Sequence, residues 1–167
     1  DIGIIGLPNA GKSSLLAAIT NANPKIASYQ FTTLNPNLGV ARYDDKEITI
    51  ADIPGLIEGA HKGTGLGIQF LKHVERCKSL LHMIDITNDD IKKSYNQVKN
   101  ELKNYSTKLS KKKELIVLNK TDLIDKKKLK KIVDDFSKNT KFEIITISTM
   151  EKKTISKIKA KLISYAS

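Results

Sequence analysis

Tryptophan is absent from this 167-residue chain, and the few phenylalanines and tyrosines are scattered, so no aromatic cofactor box is indicated. A single cysteine, Cys77, excludes an internal disulfide and fits a reducing compartment. It reads as a small packed residue. No apolar run approaches the ~18 residues that a membrane-spanning helix needs. The opening stretch, DIGIIGLPNAGKSS, has neither the basic region nor the cleavage-like site of a secretory signal. Glycine does not occur after Gly67 nor proline after Pro54, so unusual backbone conformations are confined to the first half. That asymmetry locates the candidate site.

What is present is an ordinary globular balance, with 40% hydrophobic residues and a formal net charge of +11. Residues 1–167 are expected to form one domain with a sizeable core. Starting without Met and directly in an apolar run, the chain is expected to be a piece of a longer protein. The excess charge is almost all lysine and gathers after residue 90, as in LSKKKE and DKKKLKK, while arginine is nearly absent. Two explanations stay open: affinity for a polyanion such as RNA or an anionic membrane surface, or a solvated lysine-rich exterior.

Short runs rich in Ile, Leu and Val at Ile2 to Ile5, Ile48 to Ile53, Leu80 to Ile86, Leu115 to Leu118 and Phe142 to Ile147 suit strands buried on both faces of a parallel sheet. Between them apolar residues recur at helical spacing, as at Ile91, Tyr95, Val98, Leu102 and Tyr105 behind an Asn88, Asp89 and Asp90 start, at Leu129, Ile132, Val133 and Phe136 behind Asp125, and at Ile155, Ile158, Leu162 and Tyr165. LGVARYDDKEITIAD reads as two strands around a tight turn at Asp44, Asp45 and Lys46. The pattern predicts an α/β three-layer sandwich, a mostly parallel six-stranded sheet with one antiparallel edge strand, and ligands at the carboxyl ends of the strands.

GLPNAGKSS, comprising Gly6, Leu7, Pro8, Asn9, Ala10, Gly11, Lys12, Ser13 and Ser14, fits G-x-x-x-x-G-K-[ST] between a strand and a helix. In such a loop backbone N–H groups converge on phosphate oxygens at a helix N-terminus; Lys12 is expected at the β and γ phosphates and Ser13 on Mg²⁺. VLNKTD places Asn119, Lys120, Asp122 and Leu123 after a buried strand. An ionised Asp122 can accept the two adjacent N–H donors of guanine, whereas adenine offers an acceptor there. Asn119 can donate toward N7 and O6, and the Lys120 stem can lie over the ring. Guanine is the expected base, with GTP or GDP as ligand. Ser148, with Thr149 and Met150 after the next strand, is a candidate contact to O6.

Read in order, GLPNAGKS, FTTLNPNLG, DIPGLIEGA, LGIQFLKHVERC and NKTD resemble the G domain of the Obg family of GTPases over essentially the whole chain. The resemblance implies a Ras-like P-loop fold and a slowly hydrolysing GTP switch. It also implies a partner in the large ribosomal subunit or its rRNA during assembly and stress, and guanosine tetraphosphate as an alternative ligand. In YQFTTLNPN the residues Phe31, Thr32 and Thr33 carry two adjacent hydroxyls, one of which could complete the Mg²⁺ shell; the resemblance points to Thr33, while the local sequence leaves Thr32 open. Asp52 suits a metal-bound water, and Gly55, within Ile53, Pro54 and Gly55, suits an N–H bond to the γ phosphate.

Leu56 cannot orient water. Loops resembling PNAGKS bind K⁺ through the asparagine, so Asn9 is a candidate for cation-assisted catalysis; alternatively it satisfies loop carbonyls. Glu58, His61 and Gln69 are weaker candidates for handling water, and His73 and His82 lack ligand-spaced partners. Ser148, Thr149 and Met150 depart from the family's Ser-Ala pattern, and the family's glycine-rich amino-terminal domain and variable carboxyl-terminal region have no counterpart in this sequence. A monomer in the cytoplasm or an organellar matrix is expected. The second functional class that fits is a guanine-nucleotide-sensing RNA- or ribosome-binding module with incidental hydrolysis.

Overall fold

The structure, a computed structural model, describes residues 2–20, the backbone of 25–26, and residues 37–52 and 75–166. The strands are β1 (Ile2–Ile5), β2 (Lys25–Ile26), β3 (Asn37–Tyr43), β4 (Lys46–Asp52), β5 (Ser79–Asp85), β6 (Lys113–Asn119) and β7 (Glu143–Thr146). They form one sheet in the order β2-β3-β4-β1-β5-β6-β7. From β4 to β7 every pairing is parallel, and β3 runs antiparallel to β4. The six strands expected from sequence are thus present, with the two-residue β2 laid antiparallel along the outer side of β3.

The β3–β4 ladder closes from Asn37 opposite Asp52 to Tyr43 opposite Lys46. Lys46 already belongs to β4, so the turn is the dipeptide Asp44-Asp45. Asp44 is left-handed, with φ 51°, a conformation that a short polar side chain tolerates.

Five α-helices are described: α1 (Lys12–Ile19), α2 (Ile91–Tyr105), α3 (Thr107–Ser110), α4 (Lys126–Ser137) and α5 (Lys152–Ala166). The carboxylates of Asp90 and Asp125 cap α2 and α4, accepting from the N–H groups of Lys93 and Lys128 at 2.8 Å each. Helix α1 has no such cap. Its N-cap is Gly11, and its first turn contains no acidic residue.

Period-two alternation in the central strands divides the core between two faces. Leu81, Met83, Leu115 and Val117 pack with Leu15, Leu16, Ile155, Ile158 and Leu162 of α1 and α5. Leu80, Ile84, Ile116 and Leu118 point the other way, toward Val98, Leu102 and Leu109 of α2 and α3 and Phe136 of α4. Each such burial contributes about 1.5–3 kcal/mol. With helices on both faces, the carboxyl ends of β1, β4, β6 and β7 open on one edge of the sandwich, which is where the sequence motifs fall.

Candidate functional site

The loop from Gly6 to Gly11 is shaped by three positive φ values: 154° at Gly6, 65° at Asn9 and 95° at Gly11. A Cβ on Gly6 would collide with the Met83 carbonyl of the adjacent strand, and one on Gly11 with the side-chain amide of Asn119. Both glycines are therefore required by close approach as well as by conformation. Leu7 is half-buried, Pro8, Asn9, Ser13 and Ser14 are exposed, and Ala10 is buried. Lys12 arches back over the loop, its Nζ donating to the carbonyls of Gly6 at 3.1 Å and Leu7 at 3.2 Å. The uncapped N–H groups of α1 and the ammonium of Lys12 thus face the same concavity, an arrangement suited to an anion.

Asp52 ends β4 opposite Ile4 of β1, at the entrance to this loop. Its Oδ2 accepts from the Ser13 hydroxyl at 3.1 Å, while Oδ1 is buried without a partner among the described residues. Burial pushes the Asp52 carboxyl above its ordinary range, against the pull of the Ser13 hydroxyl, the charge on Lys12 and the amide of Asn37. A carboxylate desolvated in this way, with one oxygen unused and a serine hydroxyl beside it, fits a hydrated divalent cation such as Mg²⁺.

The second loop follows β6. Asn119 is 1% exposed and donates through Nδ2 to the Ala10 carbonyl at 2.9 Å, tying this loop to the first. Its Oδ1 is buried without a partner among the described residues. Lys120 is left-handed, with φ 67°, and its Nζ bonds Asp85 Oδ2 at 2.5 Å. A short 3₁₀ turn at Thr121–Leu123 follows, and the Thr121 N–H donates to the Ile147 carbonyl at 3.2 Å, fastening the loop to the one after β7. Asp122 is exposed and has no hydrogen-bond or ion-pair partner among the described residues. Leu123 is 64% exposed. Ser148 is fully buried, its hydroxyl accepting from the Met150 N–H at 3.2 Å and its own N–H donating to Thr154 Oγ1 at 3.1 Å. Thr149 is half-buried and Met150 is 83% exposed.

The residues from Gly6 to Ser14, Asp52, Asn119, Lys120, Asp122, Leu123 and Ser148 to Met150 are thus gathered at the carboxyl ends of β1, β4, β6 and β7. Phe31, Thr32, Thr33, Ile53, Pro54 and Gly55 lie outside the described residues, as do Leu56, Glu58, His61, Gln69 and His73.

Sequence reasoning missed Asp85, whose only local signal is a strand-terminal aspartate followed two residues later by Thr87. It also missed the partner of His82. That ring is buried against Glu114, with Nδ1 and Oε1 2.8 Å apart, and Lys99 Nζ reaches the other carboxylate oxygen at 2.5 Å. Burial pushes Glu114 up, but the His82 ring and Lys99 more than offset it and hold its carboxyl below the ordinary range.

This fold and these two linked loops define a P-loop GTPase domain. The model of the family described as 50S ribosome-binding GTPase matches residues 1–120, and the chain belongs to that family. It is 69% identical to GTPase Obg of Pelagibacter ubique over 167 residues, which are 100% of this chain and 51% of the relative. To GTPase Obg of Rickettsia felis it is 51% identical over 158 residues, 95% of this chain and 48% of that protein. The chain thus spans about half the length of the curated relatives it matches. Among solved structures, the G domain of the T. maritima FeoB iron transporter superposes with a TM-score of 0.70 at 20% identity, covering 99% of this chain and 98% of that one. At that identity the likeness concerns the fold alone.

Proposed function

We propose that this chain is a single G domain that binds GTP and GDP with Mg²⁺, hydrolyses GTP slowly to GDP and phosphate, and acts as a switch in assembly of the large ribosomal subunit. The observation that carries the nucleotide reading is the 2.9 Å bond from Asn119 to Ala10, which locks the base loop to the phosphate loop and leaves the Asp122 carboxylate exposed beside them. Guanine rather than adenine follows from an acceptor-only carboxylate at that edge. Calorimetry of the chain with Mg²⁺ and guanosine or adenosine nucleotides tests this reading, and equal affinities for the two would refute it.

In the catalytic scheme Lys12 releases the loop carbonyls and turns to the β and γ phosphates. Ser13 and one hydroxyl of the Thr32-Thr33 pair, which family resemblance makes Thr33, would hold Mg²⁺, with Asp52 accepting from its hydration shell. When bound, the ion would neutralise negative charge that develops on the phosphates. The Gly55 N–H is assigned to the γ phosphate, so losing that phosphate releases both segments. With Leu56 unable to orient water, Asn9 would hold K⁺, which would supply positive charge to the transition state; its exposed side chain on a left-handed residue suits that role. Equal GTP turnover in KCl and NaCl would remove potassium from the scheme.

The ribosomal partner draws support from the exposed lysines Lys126, Lys127, Lys128, Lys130 and Lys131 of α4, a surface suited to a polyanion. The same feature favours the second reading, a guanine-nucleotide-sensing RNA- or ribosome-binding module in which hydrolysis is incidental. Stimulation of phosphate release by large ribosomal subunits separates the two. Guanosine tetraphosphate is placed in the same pocket. No helix among the described residues is long and apolar enough to cross a membrane. A cytoplasmic or organellar-matrix monomer completes the proposal.

A further inference from the structure

Asp85 ends β5 and belongs to neither the phosphate loop nor the base loop, yet its carboxylate is held from two sides. Oδ1 accepts from the Thr87 N–H at 2.9 Å and from the Thr87 hydroxyl at 2.6 Å, and Oδ2 receives Lys120 Nζ at 2.5 Å. The side chains of Asp85 and Lys120 are 12% and 31% exposed, so the pair is largely shielded from solvent. Asp85 stands opposite Asn119 in the parallel ladder, and the Ile86 N–H donates to the Asn119 carbonyl at 3.0 Å, so backbone and side chain both tie the end of β5 to the base loop.

Lys120 needs such an anchor. It is a non-glycine residue in the left-handed region, and it carries four rotatable side-chain bonds that solvent would otherwise leave free. A charge-assisted bond to a carboxylate that Thr87 itself fixes removes that freedom before any ligand arrives.

We propose that Asp85, oriented by Thr87, is a positioning residue for guanine-nucleotide binding that holds Lys120 so that its methylene stem lies along the purine plane. This rests on the guanine reading above and adds to it a residue outside the recognition motifs. Because Lys120 acts on the base and not on the reacting phosphate, Asp85 governs how long a nucleotide stays bound and leaves the chemical step alone.

Asp85→Asn keeps an acceptor oxygen for Thr87 and removes the charge that holds Lys120. Displacement of fluorescent GDP and of a fluorescent non-hydrolysable GTP analogue is expected to accelerate by roughly tenfold for both, the size of one charge-assisted hydrogen bond. Turnover at saturating GTP is expected to stay within about twofold of wild type. In a Lys120→Met background the same substitution is expected to change dissociation by less than about twofold, because its target is gone. If Asp85→Asn does not fold, Thr87→Val, which deletes the 2.6 Å hydroxyl bond, carries the test with an expected acceleration of roughly threefold. Unchanged dissociation in a folded variant, or an equal effect with and without the Lys120 ammonium, overturns the proposal. A wild-type chain with no preference for guanine nucleotides overturns the underlying reading and this inference with it.

Discussion

Replacing Gly11 with alanine tests how tightly the two loops are built into each other. Gly11 has φ 95°, and its missing Cβ leaves the room that the Asn119 amide occupies. Holding an L-residue in that conformation costs of order 1–3 kcal/mol. Pushing Asn119 away breaks its bond to the Ala10 carbonyl and leaves a buried amide short of a partner, a further cost of about 1–3 kcal/mol. The expected loss is therefore about 2–6 kcal/mol, out of the 5–15 kcal/mol that hold a typical domain together. Urea unfolding without nucleotide measures it, and calorimetry with MgGDP measures the accompanying loss of affinity. A variant within about 0.5 kcal/mol of wild type and with unchanged GDP affinity would show that the loops tolerate separation, against this reasoning.

Lys12→Ala is expected to abolish nucleotide binding in the same calorimetric assay, since it deletes the ammonium held over the phosphate loop by the Gly6 and Leu7 carbonyls. Asp122→Asn should weaken GDP binding by at least about tenfold and raise affinity for the xanthine nucleotide, whose altered edge restores complementarity; retained GDP affinity would take Asp122 away from the base. Glu114→Gln removes a buried carboxylate from between His82 and Lys99 and is expected to cost about 3–5 kcal/mol in chemical denaturation. The pH dependence has a definite sign. Since the folded pKa of Glu114 lies below the ordinary 4.5, its contribution is fully present above that value and is lost as pH falls through the lower folded one. Acid unfolding profiles of wild type and Glu114→Gln should accordingly converge below pH 4.5 and separate above it.

Most of the architecture was legible because its signals are local. Asp125 and the Asn88, Asp89 and Asp90 group were readable as helix starts, the structure selecting Asp90 as the cap, and apolar runs marked the central strands to within one or two residues, the ends differing where polar residues such as Lys113 and Asn119 extend the ladder. The two-residue β2 was invisible, being too short for any periodicity. LSKKKE showed only as excess positive charge, for which two explanations stood open, and gave no sign that Glu114 is 1% exposed or that Lys112 Nζ bonds the Cys77 carbonyl at 2.5 Å. The reason is physical: a charged residue becomes buried only when partners distant in sequence, here His82 and Lys99, come to meet it. The site divides in the same way. Glycine spacing and the Asn119, Lys120 and Asp122 pattern announce the loops, whereas the Asp85–Lys120 bond exists only because β5 and β6 lie side by side in a register that pairs Asp85 with Asn119.

In the proposed nucleotide site, the Asn119–Ala10 bond would make the phosphate loop and the base loop the jaws of a single clamp. Guanosine alone or pyrophosphate alone must surrender its freedom of movement for half the contacts, but when the two are joined the second end arrives at an effective concentration in the millimolar range or above. The clamp therefore favours the intact nucleotide over the sum of its fragments, and loosening that one bond should erode the chelate advantage even with every contacting atom still present.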